Sequence, residues 1–115
     1  FFIWNLEKNQ MMGAVNLSYI RRGAAQMGTV GYWIGEHFSN QGLMTEAVRL
    51  LCDFAFTTLG LHRLEAACMI DNEPSVRVLK NNKFKEEGYA PRYLKIGGVW
   101  ADHRLFALCR DDLAH

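Results

Sequence analysis

The strongest constraint on this chain is one stretch of helical periodicity set among runs that read as strands. Leu43, Ala47, Leu50, Leu51, Phe54 and Ala55 fall at i, i+4, i+7, i+8, i+11 and i+12, which places them on one helical stripe. Ahead of it, Phe1 to Leu6 and Met11 to Ile20 are apolar runs separated by the polar Glu7-Lys8-Asn9-Gln10, the pattern of an antiparallel hairpin. A third run, Met27 to Gly35, is rich in β-branched and aromatic residues. Beyond the helix, His62 to Ile70 reads as a strand. Asp71-Asn72-Glu73-Pro74 then opens a short helix, because Asn caps well and Pro is tolerated in a first turn. Phe84 to Ile96 and Trp100 to Cys109 form a closing hairpin whose turn is Gly97-Gly98. The expected order is β-β-β-α-β-α-β-β, a mixed α/β (α+β) domain.

Length and composition bound the function. The chain has 115 residues, enough for one domain over 1–115. Half of it is hydrophobic, and the net charge is +1. Neither figure argues for electrostatic binding to nucleic acid or to an anionic membrane. No apolar run approaches the ~20 residues that span a bilayer, and a signal peptide is not expected. Cys52, Cys68 and Cys109 are too widely spaced for a CxxC pair, so no metal site is expected, and reduced cytoplasmic thiols are. The chain opens with Phe1-Phe2-Ile3-Trp4 and has no initiator Met, which reads as a fragment with an N-terminal portion missing.

Two segments carry chemistry. Ser39 to Glu46 links a strand to the main helix and contains Gly42. A helix N-terminus offers unpaired N–H groups and partial positive charge, which suits a phosphate, and glycine lets the backbone approach it closely. The plain alternative is a strand–helix turn that contains a glycine. The second segment is Asn72-Glu73-Pro74-Ser75, followed by Leu79 and Phe84. It reads equally as a helix cap with an apolar face, and a capping Asn at a sheet edge can also reach a ligand. Trp4, Trp33 and Trp100 read as core or groove-wall residues, since no basic stripe accompanies them.

In combination, these segments resemble the GNAT-superfamily N-acetyltransferases of the RimJ/RimL type. The resemblance rests on Leu59-Gly-Leu-His-Arg-Leu-Glu-Ala, Asp71-Asn-Glu-Pro-Ser-Val-Arg-Val-Leu, Phe84-Lys-Glu-Glu-Gly-Tyr and Tyr93-Leu-Lys-Ile-Gly-Gly-Val-Trp-Ala-Asp-His. It covers essentially the whole chain. It implies a mostly antiparallel sheet splayed between the third and fourth strands, with acetyl-CoA held in the splay. An opening strand and one or two helices of such a domain would lie outside this chain. By this likeness Ile34 and Gly35 meet the pantetheine arm, Asn40, Gln41, Gly42, Leu43, Met44 and Thr45 hold the pyrophosphate, and Asn72 contacts the cofactor. Ser75 matches the hydroxyl that serves the departing thiolate.

The sequence departs from the family pattern at four points. Ser39 and Met44 replace the Gln or Arg and the small residue of the pyrophosphate turn. Asn82-Lys83 stands where a glycine is usual before Phe84, so Lys83 carries a conformational cost if positive φ is required there. Arg92 stands where some relatives carry an acid proposed as general base, and a guanidinium cannot serve as one. Glu36, Asp102 and His103 are the remaining candidates, each of which also reads as a solvated strand-end residue. The implied acceptor is a primary amine, either the N-terminal α-amino group of a protein, ribosomal proteins included, or a small amine. A non-catalytic acetyl-CoA-binding module is the rival from another class. A monomer or weak dimer is expected.

Overall fold

A computed structural model of the chain describes residues 2–5, 10–34 and 41–114. The elements are β1 (Phe2–Asn5), β2 (Gln10–Arg21), β3 (Met27–Ile34), α1 (Gln41–Thr57), β4 (Arg63–Met69), α2 (Glu73–Asn81), β5 (Lys85–Ile96) and β6 (Val99–Cys109), ending in a 3-10 turn, Arg110–Ala114. Their order is the expected one. The strands form one six-stranded sheet in the order β1-β2-β3-β4-β6-β5. Every neighbouring pair is antiparallel except β3 with β4.

That parallel pair is short. Met27, Gly28 and Thr29 meet Arg63, Leu64 and Glu65, and no further register pair follows. Beyond it β3 runs on to Ile34 and β4 to Met69, so the facing edges of Val30–Ile34 and Ala66–Met69 have no strand partner there among the described residues. This is the splay that the resemblance implied.

Alternation along the strands puts one face of the sheet under both helices. On β4, Leu64, Ala66 and Cys68 are buried, and on β6 so are Phe106 and Leu108. They pack with Met44, Val48, Leu51, Cys52, Ala55 and Phe56 of α1 and with Val76, Val78 and Leu79 of α2. Each large side chain buried this way contributes about 1.5–3 kcal/mol.

The helical stripe has the expected period but another phase. Met44, Val48, Leu51, Cys52, Ala55 and Phe56 face the sheet, whereas Leu50 is 56% exposed and Phe54 38%. Two adjacent stripes of α1 are apolar, and periodicity alone does not choose between them. Contact with Leu64, Phe106 and Leu108 does.

Asn72 caps α2 through its Oδ1, which accepts the Ser75 N–H at 3.2 Å. At the other end the Phe84 N–H donates to the Leu79 carbonyl and the Lys83 N–H to the Lys80 carbonyl, each at 3.0 Å. This is a Schellman closure, with buried Leu79 and Phe84 supplying its apolar contact. Lys83 therefore takes φ +68, the left-handed conformation a glycine would adopt at little cost. Asn82 ties this end to α1, its Nδ2 donating to the Thr45 carbonyl at 3.1 Å.

The long β5–β6 hairpin turns at Gly97 and Gly98, both at positive φ. Its register shifts between Ala90 and Leu94, where Arg92 sits at φ +49. Asp102 holds that bulge. Its Oδ2 accepts the Tyr89 hydroxyl at 2.6 Å and its Oδ1 the Arg92 N–H at 2.8 Å. The Tyr89 bond first, and then the Arg92 bond, lower the Asp102 pKa below the ordinary aspartate value.

Two outcomes follow from this geometry. Lys83→Gly should stabilise the chain by about 1 kcal/mol by relieving the left-handed strain, which a thermal melt would register as a rise of roughly 4 °C. Because the folded pKa of Asp102 is depressed, its bonds are fully present above the ordinary value of about 3.9 and are lost as pH falls through the lower folded value. The Arg92 amide proton should titrate in NMR with a midpoint below that of a free aspartate, and lose this transition in Asp102→Asn.

Candidate active site

Where β3 and β4 part, the helix-covered face opens into a cleft of about 340 Å³. Tyr32 and Trp33 of β3 form one wall, Met44 of α1 lies between, and Asn72, Pro74, Ser75 and Val78 form the other wall. The sequence dictates each position. Tyr32 shares the core-facing side of β3 with Val30, and Trp33, on the opposite side, is 46% exposed. Asn72 and Ser75 are set by the cap of α2.

One hydrogen-bonded group joins the two walls. The Tyr32 hydroxyl lies 2.7 Å from Ser75 Oγ and donates to the Ser75 carbonyl at 2.9 Å. Burial pushes the Tyr32 pKa up to about 12, so the phenol keeps its hydrogen. Ser75 also hydrogen-bonds the Cys68 thiol on β4; burial, the larger effect, raises the pKa of that thiol. Among the described residues no cluster of His, Cys, Asp and Glu is arranged to hold a metal ion.

The first turn of α1 begins beside this cleft. Gly42 is exposed there, and Leu43, Met44 and Thr45 are helical rather than part of a loop. Met44 turns its side chain into the core, 2% exposed, so only its backbone and the cleft-facing part of its surface are available to a ligand. The Thr45 hydroxyl is buried with no hydrogen-bond partner among the described residues. An orphaned hydroxyl, a helix start, an open strand edge and a cleft with a hydroxyl on its wall together suit an elongated molecule carrying phosphate at one end.

The expected site residues are distributed as follows. Asn72, Ser75 and Met44 line the cleft, and Gly42, Leu43 and Thr45 lie on the adjoining turn. Ile34 ends β3 opposite Gly13, and Gln41 begins α1. Gly35, Glu36 and Asn40 lie outside the described residues. Asp102 and His103 are not in the cleft lining. Both oxygens of Asp102 are committed to the hairpin bulge, and His103 is buried, its Nδ1 2.9 Å from the Ala101 carbonyl and its ring packed on Tyr93. Trp33 is the groove-wall residue expected, whereas Trp100 is 57% exposed on the hairpin. Tyr32 escaped the sequence reading. Its signal was a phenol on the inward face of a strand, which needs a buried partner.

Comparison with known proteins bears on the family. A model described as an acetyltransferase (GNAT) domain matches residues 1–85. The probable N-acetyltransferase YjcK of Bacillus subtilis is 43% identical over 112 residues, 97% of this chain and 62% of that protein. The ribosomal-protein-S5-alanine acetyltransferase of Vibrio fischeri superposes with a TM-score of 0.90 at 36% identity, over 95% of this chain and 60% of that one. Mycobacterium smegmatis RimJ, solved in complex with CoA-disulfide, gives a TM-score of 0.87 at 33% identity, over 94% of this chain and 52% of that one. The chain thus spans about three-fifths of the length of the curated relative it matches. A domain model covering most of its residues, and a fold shared with relatives of this identity, show that the chain belongs to the GNAT acetyltransferase family.

Proposed function

We propose that the protein carrying this chain transfers an acetyl group from acetyl-CoA to a primary amine, and that the amine is the N-terminal α-amino group of a protein. The observation that carries the reading is the cleft at the β3–β4 parting, with the Ser75 hydroxyl on its wall and the start of α1 beside it. Support for the acceptor comes from the Vibrio fischeri relative, which is named a ribosomal-protein-S5-alanine acetyltransferase.

Acetyl-CoA supplies an activated thioester. The residues of this chain bind and orient it. Gly42 to Thr45, with Asn40 and Gln41, would meet the pyrophosphate at the helix start. The edge of β3 that faces β4, up to Ile34, would hold the pantetheine amides, and an N–H of Ile34 or of Gly35, next in sequence, would serve the developing oxyanion. Asn72 would contact the same arm from α2, and Ser75 would hydrogen-bond the departing sulfur. Positioning of the two reactants supplies most of the rate.

Arg92 removes one source of a general base, and the acceptor chemistry makes that tolerable. An α-amino group with a pKa of about 7.7–8.0 is roughly a tenth neutral at pH 7, whereas a lysine side chain near 10.4 is neutral at well below a tenth of a per cent. A weak base, Glu36 or a water relay, then suffices for an N-terminus. In a peptide screen with acetyl-CoA, alanine N-termini should be acetylated in strong preference to lysine side chains and to spermidine. A faster rate on polyamine or lysine would reject this acceptor assignment.

Gly42 gives a separate test of the cofactor end. Gly42→Val places a branched side chain where the phosphate approaches the backbone, and should weaken acetyl-CoA binding about tenfold, or ~1.4 kcal/mol. Unchanged affinity by calorimetry, in a variant with an unaltered circular dichroism spectrum, would remove this turn from the site.

A further inference from the structure

We propose that Tyr32 is a positioning residue that controls which way the Ser75 hydroxyl points, so that two hydroxyl rotations present a hydrogen to the cleft when negative charge develops there. The inference rests on the acetyl-transfer reading, because that reading puts the departing sulfur beside Ser75.

Hydrogen counting carries the case. Tyr32 has one hydroxyl hydrogen, and the Ser75 carbonyl, 2.9 Å away, can only accept it. With that hydrogen so placed, the 2.7 Å contact between Tyr32 Oη and Ser75 Oγ must be completed by the serine hydrogen. At rest, then, the serine hydrogen is committed to Tyr32 and not to the cleft, and the Cys68 thiol, which burial keeps protonated, is the donor in its own bond to Ser75 Oγ. Turning the tyrosine hydrogen from the carbonyl to Ser75 Oγ frees the serine hydrogen. No heavy atom moves, and no covalent bond forms or breaks.

The energetics favour the resting arrangement until charge appears. The turned state gives up the bond to the carbonyl, an acceptor close to the tyrosine by geometry. An anionic sulfur reverses the balance, since hydrogen bonds to charged acceptors are roughly twice as strong as neutral ones. The tyrosine donor would further polarise the serine hydroxyl, as chained hydrogen bonds do in a low-dielectric site. Tyr32 is well placed for this. It is held on the core-facing side of β3, packed against the buried cluster, and its high pKa keeps it a donor. The titratable group beside the pair is Cys68 on β4, which in turn feels Glu73 on α2 and the Arg104–Glu86 ion pair joining β6 and β5.

The test compares binding of CoA with desulfo-CoA at about pH 9.5, above the ordinary thiol pKa of ~8.5, so that the sulfur is a thiolate. Wild-type protein should bind CoA more tightly than desulfo-CoA. Tyr32→Phe should cut that preference, the ratio of the two affinities measured on the same protein, about tenfold, the loss expected for a hydrogen bond to a charged acceptor. In turnover it should lower kcat and not raise KM, and Tyr32→Phe combined with Ser75→Ala should be no worse than Ser75→Ala alone. If Tyr32→Phe folds poorly, a fluorotyrosine in place of Tyr32 keeps the ring and strengthens the donor, and the CoA preference should rise. A preference untouched by either change, or losses that add in the double variant, would overturn the switch. Wild-type protein that binds neither CoA nor desulfo-CoA would instead overturn the acetyl-transfer reading beneath it.

Discussion

The parting of β3 from β4 is the constraint on which the rest of this structure depends. Two parallel strands stay paired for Met27–Thr29 and Arg63–Glu65 and then diverge, leaving two rows of backbone groups without a strand partner among the described residues. Unpaired backbone groups beside a core are costly unless something else satisfies them. Parallel strands need a crossover connection, and α1 provides it, lying over the buried face and bringing its first turn to the mouth of the gap. The open edge, the helix start and the cleft are thus consequences of one topological choice.

The second helix is tied across the gap to β3. Asn72 caps it, which fixes Ser75 in its first turn, and the Tyr32 hydroxyl reaches across to the Ser75 side chain and carbonyl. At the far end Asn82 bonds the Thr45 carbonyl, so the turn beside the cleft is tied to the helix that carries the serine. Lys83 accepts left-handed strain so that Phe84 can enter the core directly after α2. Local conformational strain is here exchanged for burial of a large aromatic side chain.

The pattern of charge fits the same picture. Several ionisable groups of β4 and of the hairpin are engaged with one another: Arg104 with Glu86, Arg63 with Glu65 and Glu87, and Asp102 with Tyr89 and the Arg92 backbone. These are mostly exposed pairs of small individual worth. Their effect is to shape β5 and β6, and they leave the cleft wall to neutral hydroxyls. A neutral wall is what a reaction needs when charge appears only as the bond breaks, because donors that are already aligned need not reorganise far.

Period, caps and turn residues were readable directly from the chain. They set the element order, the cap at Asn72, the hairpin turn at Gly97-Gly98 and the likeness that pointed to Gly42, Asn72 and Ser75. Each of these is local: it depends on residues a few positions apart. What only the tertiary structure decided involves partners far along the chain. Which of two apolar stripes of α1 is buried depends on the sheet beneath it. That Tyr32 meets Ser75, forty-three residues away, depends on the splay. That Asp102 braces a bulge instead of standing ready as a base depends on the strand register opposite it. Hydrophobic periodicity carries no information about register or about which polar groups a fold brings together, so these contacts become visible only when the chain has closed on itself.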